Sequence, residues 1–233
     1  KPSWHWNLTV VDNGCTDDTR RIASEFVSQR LDQKVSVMTV PQRGRGQALR
    51  TAWLGSDADV QCYCDADLSS DLESLVQAVE LVAAGHCDVA VASRVAPGSA
   101  VMGRTLLRDI TSYGYILLLR LCFWDANLSD CQCGCKAISS AVADDVLPLV
   151  ENNGWFFDTE LLLLAAGSGF RIREVPVTWQ DDRDSRVKVA STILEMIKGI
   201  VRLKVKGWRN RVVRNQNRTP DQLSARRQET HVR

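Results

Sequence analysis

The sequence predicts an α/β fold, a mostly parallel sheet flanked by helices, and three observations carry that expectation. Short apolar runs alternate with helix-period segments through residue 93, the pattern left by parallel strands joined through crossover helices. These runs stop in acidic or Gly-rich turns, at the carboxyl ends where an open α/β sheet binds its ligands. At 233 residues, 45% hydrophobic and 24% charged, the chain can bury one large core.

Asn7 to Val11 reads as an interior strand although only Lys1 to Trp6 precede it, which points to a segment missing upstream. Asp12-Asn13-Gly14 then turns the chain, and Thr16 and Asp17 supply a cap for a helix over 18–30. An acid such as Asp12 at a strand end can hold a nucleotide's base or ribose; turn chemistry explains it equally well. After a strand from Lys34 to Val40, Arg43-Gly44-Arg45-Gly46 leads into a helix over 47–56. Glycines there let backbone approach a ligand, and the arginines offer charge to a phosphate.

Ala58 to Cys64 is a buried strand that stops on Asp65-Ala66-Asp67-Leu68. Along an extended chain residues i and i+2 share a side, so the two carboxylates are expected to point together. Converging carboxylates repel unless a cation lies between them, and hard oxygen ligands suit Mg2+ or Mn2+. The same residues also read as a turn before a helix over 71–84 capped by Ser69, Ser70 or Asp71. The pair alone does not separate the two readings.

Asp88 to Ala92 is a strand ending in Ser93-Arg94. A helix over 104–124 begins polar, with Arg104, Arg108 and Ser112 at near-helical spacing, and is strongly apolar from Tyr113 to Trp124. That half is wider than an amphipathic stripe, so it is either a core helix or rests against lipid. A turn and strand over 130–138, helices near 139–150 and 158–167, and a strand over 170–179 with Pro176 at an edge or bulge complete a domain over 1–187. A basic amphipathic helix over 188–214 carries Ile193, Met196, Ile197, Ile200, Val201 and Leu203 on one side. It suits a membrane surface, or docking on the domain with its basic face in water. Residues 215–233 read as a disordered tail.

The net charge of +1 conceals an asymmetry: residues 1–185 carry 16 Lys and Arg against 25 Asp and Glu, whereas 186–233 carry 13 against 3. The basic end lacks the interleaved aromatics of a stacking surface, so no nucleic-acid partner is expected. Eight cysteines without a signal peptide indicate reduced thiols and a cytoplasmic location. Cys131-x-Cys133-x-Cys135 lacks the paired spacing of zinc sites. No apolar run reaches the ~18–20 residues that cross a bilayer.

Taken in order, six elements resemble those of one family. Asp12-Asn13-Gly14-Cys15-Thr16-Asp17 resembles D-(D/N)-G-S-T-D; Arg43 to Gln47 resembles a basic K-G-x-G element; Asp65-Ala66-Asp67-Leu68 matches D-A-D-L. Asp130-x-Gln132-Cys133-Gly134-x-Lys136 resembles D-T-Q-C-G-F-K, Phe157-Asp158-Thr159-Glu160-Leu161-Leu162 resembles F-D-V-E-L-L, and Glu174-Val175-Pro176-Val177-x-Trp179 resembles E-V-P-V-x-W. The chain thereby resembles the family-two, GT-A-fold glycosyltransferases, and within them the polyprenyl-phosphate sugar synthases, nearer the glucosyl branch than the mannosyl one. Departures are Cys15 for Ser, Cys135 for an aromatic and Asp184-Ser185-Arg186 for Gly-Ser-Lys. The family's first strand and its P-x-Y-N-E element are absent, which would leave a sheet edge and apolar surface open.

The resemblance implies a GT-A, Rossmann-like fold with Asp65 and Asp67 on Mg2+ or Mn2+. Asp12, Gly14, Arg43, Arg45, Gly46, Asp65 and Gln132 would bind the nucleotide sugar; Asp67, Asp158 and Glu160 would serve catalysis; Arg94, Arg108 and Ser112 would hold the acceptor phosphate. The implied reaction is an inverting transfer of a hexose, glucose ahead of mannose, from UDP-glucose or GDP-mannose to a polyprenyl phosphate. It would run at the cytoplasmic face of a membrane, with the protein held peripherally. A phosphate monoester with a second pKa of ~6 is already ionised and needs no strong base; Asp158 is the candidate if one exists. Transfer to a saccharide would require such a base, and a non-catalytic nucleotide-sugar-binding remnant would need neither.

Overall fold

The structure is a computed structural model that describes residues 4–29, 34–126, 128–181 and 189–209. The described elements run β1 (Leu8–Asn13), α1 (Thr19–Ser28), β2 (Val35–Val40), α2 (Arg45–Leu54), β3 (Val60–Cys64), α3 (Leu72–Ala83), β4 (Val89–Ser93), β5 (Ala100–Met102) and α4 (Leu106–Cys122). They continue with β6 (Cys135–Ser139), α5 (Ser140–Asp145), α6 (Phe157–Gly167), β7 (Ile172–Pro176), β8 (Thr178–Gln180) and α7 (Val189–Lys206). The α/β alternation is as expected; β5 and β8, three residues each, carry no sequence pattern long enough to announce them.

The central sheet has the order β3-β6-β4-β7. Parallel pairs are β1 with β2, β4 with β7, and β5 with β8, while β6 is antiparallel to both β3 and β4. Pro176 ends the edge strand β7, where a missing N–H breaks no ladder. Alternate strand residues face opposite layers: Val89, Val91 and Ile138 pack on α6, whereas Ala90, Ala137 and Val175 pack on Ala78 and Val82 of α3. Asp71 starts α3 by accepting the Ser74 N–H at 2.8 Å, as one of the two readings of that turn required.

Away from this core, β1 pairs only with β2 and β3 only with β6 among the described residues. Helix α1 has no buried residue, and its Ile22 and Phe26 are exposed. Helices α4 and α7 each pack on the domain with one side, as one of their two readings required, and expose apolar residues on the other. Leu119 and Phe123 of the α4 segment, and Met196, Ile200 and Leu203 of α7, enter the core. Outside, Leu106, Ile110, Tyr113, Leu117, Leu121 and Trp124 form a stripe at three- and four-residue spacing, each between 59% and 79% exposed; Leu194, Ile197, Val201 and Val205 line the outside of α7. Helix α7 ends at Lys206 rather than 214. No described helix is long and apolar enough to cross a membrane. Residues 184–186 and the 215–233 tail lie outside the described residues.

Candidate active site

The first turn of α6 organises the site. Leu161 to Leu164 pull this helix into the core, and Asp158, Thr159 and Glu160 go with them, all fully buried. Successive helix residues point roughly 100° apart, so each of the three meets different partners.

Asp158 accepts the Tyr63 hydroxyl at 2.6 Å, pairs with Lys136 Nζ at 3.0 Å and pairs closely with Arg45. Tyr63 and Lys136 are direct cross-strand partners on β3 and β6, so their side chains leave the sheet on one face. Lys136 Nζ also donates to Cys133 O at 2.5 Å. Arg45, the first residue of α2, donates to Asp65 Oδ1 at 2.8 Å and lies over the rings of Tyr63 and Trp155. Burial pushes the Asp158 carboxyl up, but the cations of Arg45 and Lys136 outweigh it and hold it below the usual carboxylate value. Burial likewise disfavours the Arg45 charge, yet Asp158 holds its pKa well above the ordinary one. Asp158 and Arg45 are therefore both ionised.

The chain leaves its extended course at Asp65. Leu68 N–H donates to Asp65 O at 3.0 Å, and Leu68 has a φ of 51°, so a turn, not strand alternation, decides where Asp67 points. Asp67 is exposed and uses Oδ1 to accept the Ser69 N–H at 3.0 Å. Gly134 makes room for Asp65, since a Cβ there would overlap the carboxylate. Each acid thus keeps one carboxylate oxygen outside these bonds. Two such acids, completed by diphosphate oxygens and water, fit the way Mg2+ is held, although no group of three protein ligands exists among the described residues.

Asp12, Gly14 and Arg43 come together at the carboxyl end of β1. Asp12 is buried and accepts the Cys15 N–H at 2.9 Å, which keeps its pKa below the ordinary carboxylate value. Arg43 donates to Gly14 O at 3.1 Å and to Thr16 Oγ1 at 3.2 Å. Gly46 is a correction: it faces protein rather than ligand. A Cβ on it would meet Phe157 Cβ at 2.6 Å, and the N–H groups of Gly46 and Gln47 donate to Gly154 O and Asn153 O. The start of α2 is packed on the 152–157 loop, so its backbone donors are already used.

On the other side of α6 a cavity of about 380 Å³ lies between α4, α7 and residues 130–132. Arg94, Arg104, Ser112 and Gln132 line its polar part, and Ile116, Leu118, Ile193, Met196 and Ile197 its apolar part. Arg94 is held bidentately by Asp130, at 2.7 and 2.8 Å. Arg104 contacts Ser112 closely and stands 3.3 Å from Asp109. Burial, then the neighbouring Arg94, lower its pKa. Arg108 is a second correction: it pairs with Asp181 at 2.5 Å and is not among the lining residues. Arg104, one turn earlier on the same spacing, occupies that place. Gln132 Nε2 donates to Thr159 Oγ1 at 2.7 Å, and Tyr115 Oη lies 2.8 Å from the same atom.

Glu160 is a third correction. It points away from Asp158, accepting Arg202 Nη2 at 2.6 Å and the Asn152 N–H at 2.8 Å, and so fastens α7 to α6. Sequence reasoning gave no site role to Tyr63, Lys136, Arg104, Tyr115, Thr159 and Arg202, although it noted Arg104 at the spacing of Arg108 and Ser112. Lys136 carried a signal, a cation inside an otherwise apolar strand; Arg202 carried none. Cys131, Cys133 and Cys135 are free and buried, and burial pushes the Cys133 thiol up to about 11.

Comparison with known proteins adds the following. Residues 3–147 match the family described as Glycosyl transferase family 2. The glycosyltransferase AglD of Haloferax volcanii is 36% identical over 202 residues, covering 86% of this chain and 32% of its own. The dolichyl-phosphate beta-glucosyltransferase of Saccharomyces cerevisiae is 29% identical over 212 residues, covering 84% of this chain and 63% of the yeast protein. The chain thus spans about a third of the first relative and just under two thirds of the second. Among solved structures, glucosyl-3-phosphoglycerate synthase from Mycobacterium tuberculosis, in complex with Mn2+, UDP-glucose and phosphoglyceric acid, aligns with a TM-score of 0.58 at 16% identity over 85% of this chain and 68% of that one. The fold is therefore of the GT-A kind.

Proposed function

This chain belongs to glycosyl transferase family 2, and from that premise we propose that it transfers glucose from UDP-glucose to a polyprenyl phosphate at a membrane surface. The observation that carries this reading is the cavity between α4 and α7, cationic and hydroxylated at one part and apolar along the rest. Such a cavity fits an amphiphile with one phosphate and an isoprenoid tail. The exposed apolar stripes on the same two helices would rest on the bilayer from which that tail comes, the side being the cytoplasmic one. The relatives named dolichyl-phosphate beta-glucosyltransferase, and the neighbour bound to UDP-glucose, favour this donor; none of the proteins compared above supports GDP-mannose.

In this reading Asp12, Gly14 and Arg43 hold the nucleoside part. Asp65 and Asp67 would hold Mg2+ or Mn2+, which supplies charge neutralisation to the departing diphosphate. Arg104 and Ser112, with Arg94 behind them, orient the acceptor phosphate. Its oxygen attacks the anomeric carbon from the face opposite UDP, so the new C–O bond forms as the old one breaks with its electrons going to UDP, and the configuration inverts. A phosphate with a second pKa of ~6 brings its own nucleophilic charge at neutral pH. Asp158, kept anionic between Arg45 and Lys136, is a weak base, which disfavours a saccharide acceptor; its role is to anchor those two cations.

The test is label transfer from radiolabelled UDP-glucose to a short polyprenyl phosphate in detergent with Mn2+, comparing the wild-type chain with Asp67→Ala. Label should enter the organic phase with the wild type and fall at least about a hundredfold in the variant. Turnover retained by Asp67→Ala would overturn the metal assignment. UDP-glucose binding without transfer would leave the non-catalytic reading.

A further inference from the structure

Thr159 is fully buried and does not line the cavity, yet its hydroxyl meets two residues that do, Gln132 and Tyr115. Gln132 Nε2 donates to Thr159 Oγ1 at 2.7 Å, and the Tyr115 hydroxyl stands 2.8 Å from it. The backbone N–H of Gln132 donates to Asp130 Oδ1 at 3.1 Å, the same carboxylate that grips Arg94. Gln132 is therefore fixed at both ends, main chain on Asp130 and side chain on Thr159. A primary amide has two N–H donors and a carbonyl acceptor. With one N–H engaged by Thr159, one donor and the carbonyl remain for the cavity, and among the described residues no protein group takes the carbonyl.

That pair of functions has a specific chemical use. An ionised phosphate oxygen can only accept a hydrogen bond, whereas a sugar hydroxyl can donate one. An amide held with one free N–H and one free carbonyl can touch both at once. We propose that Thr159 and Tyr115 are positioning residues that lock the Gln132 amide in the cavity wall so that it bridges the acceptor phosphate and a hydroxyl of the sugar being transferred. The inference rests on the reading in the preceding subsection for the identity of the two ligands; the locking of the amide stands on this geometry alone. Thr159 and Asp158, adjacent on one helix turn, then fix the acceptor side and the donor side of the site together.

The test pairs kinetics with a readout that needs no turnover. Thr159→Val keeps the side-chain shape at this fully buried position and removes only the hydroxyl. At saturating UDP-glucose and short polyprenyl phosphate, Thr159→Val should lower kcat about five- to tenfold with KM for UDP-glucose unchanged, the effect of one lost hydrogen bond that positions the reacting groups. Thr159→Ser should restore the wild-type rate. In a Gln132→Ala background Thr159→Val should cost nothing further, because both act through one amide. In the ligand-free protein, NMR should show the Gln132 side-chain amide protons exchanging with solvent more slowly in the wild type and Thr159→Ser than in Thr159→Val. Equal exchange in all three, a full rate in Thr159→Val, or an undiminished Thr159→Val effect in the Gln132→Ala background would overturn the proposal. If the wild type transfers no glucose at all, the function reading fails, and the exchange measurement still decides whether the amide is locked.

Discussion

On the Asp65 side of α6 the buried charges of the α6 cluster are paired: Asp158 with Arg45 and Lys136, Arg45 with Asp65. On the cavity side Arg94 is gripped by Asp130, whereas Arg104 stands 3.3 Å from the half-exposed Asp109 and close enough to Arg94 to feel its charge. On the first side these pairs hold Arg45 between Tyr63 and Asp65. The second sets two arginines, Arg94 and Arg104, at the polar part of an otherwise apolar cavity, an arrangement that suits the amphiphilic anion proposed above. Tightly paired buried charge builds the scaffold on the first side, and more loosely held charge lies at the cavity on the second.

The largest expected effect tests the paired side. Lys136→Met leaves the fully buried Asp158 short of one cation and should destabilise the protein by about 3–5 kcal/mol, measured by urea unfolding. Adding Asp158→Leu should recover much of that loss, since a buried ion pair replaced whole by apolar groups is close to neutral. A change below about 1 kcal/mol for Lys136→Met would mean that the cluster does not need its second cation.

A smaller, selective effect tests the cavity side. Arg104→Met should raise KM for the polyprenyl phosphate about tenfold, the effect of one charge-assisted hydrogen bond, and leave KM for UDP-glucose alone. Arg108→Met should change it less. The opposite ranking would return Arg108 to the acceptor site and remove the contrast drawn above.

The smallest effect is a pH dependence that both sides share. The carboxyls of Asp158 and Asp130 are held below their ordinary value of 3.8, against burial, by Arg45 and by Arg94. A depressed folded pKa contributes stability that is fully present above the unfolded value and is lost as pH falls through the folded one. Urea midpoints should therefore be flat with respect to these two groups from pH 8 to about 5 and decline below about pH 4. A decline already complete by pH 5 would place the acid sensitivity in other groups.

Much of this was legible in the chain itself. The order of strands and helices, the acidic turns at strand ends and the apolar helices follow from local periodicity, which acts within a few residues. The turn at Asp65 was written in the sequence too, but as the second of two readings. Arg104 shared its spacing with Arg108, and spacing along one helix cannot say which of two arginines finds a carboxylate in another element. Glu160 sat in a motif with Asp158, yet two positions along a helix turn the side chain to the opposite side.

What the sequence by itself determined is which chemistry is present and in what order: the α/β alternation, the paired aspartates, the cations near a lipid-like helix. What only the tertiary structure decided is who neutralises whom. Tyr63 and Asp158 are 95 positions apart, Arg45 and Asp158 are 113, and Glu160 and Arg202 are 42. Propensity and periodicity set the face a side chain leaves from, but a buried charge is satisfied by whichever group packing brings within about 3 Å, and that choice is made by the assembled sheet and helices.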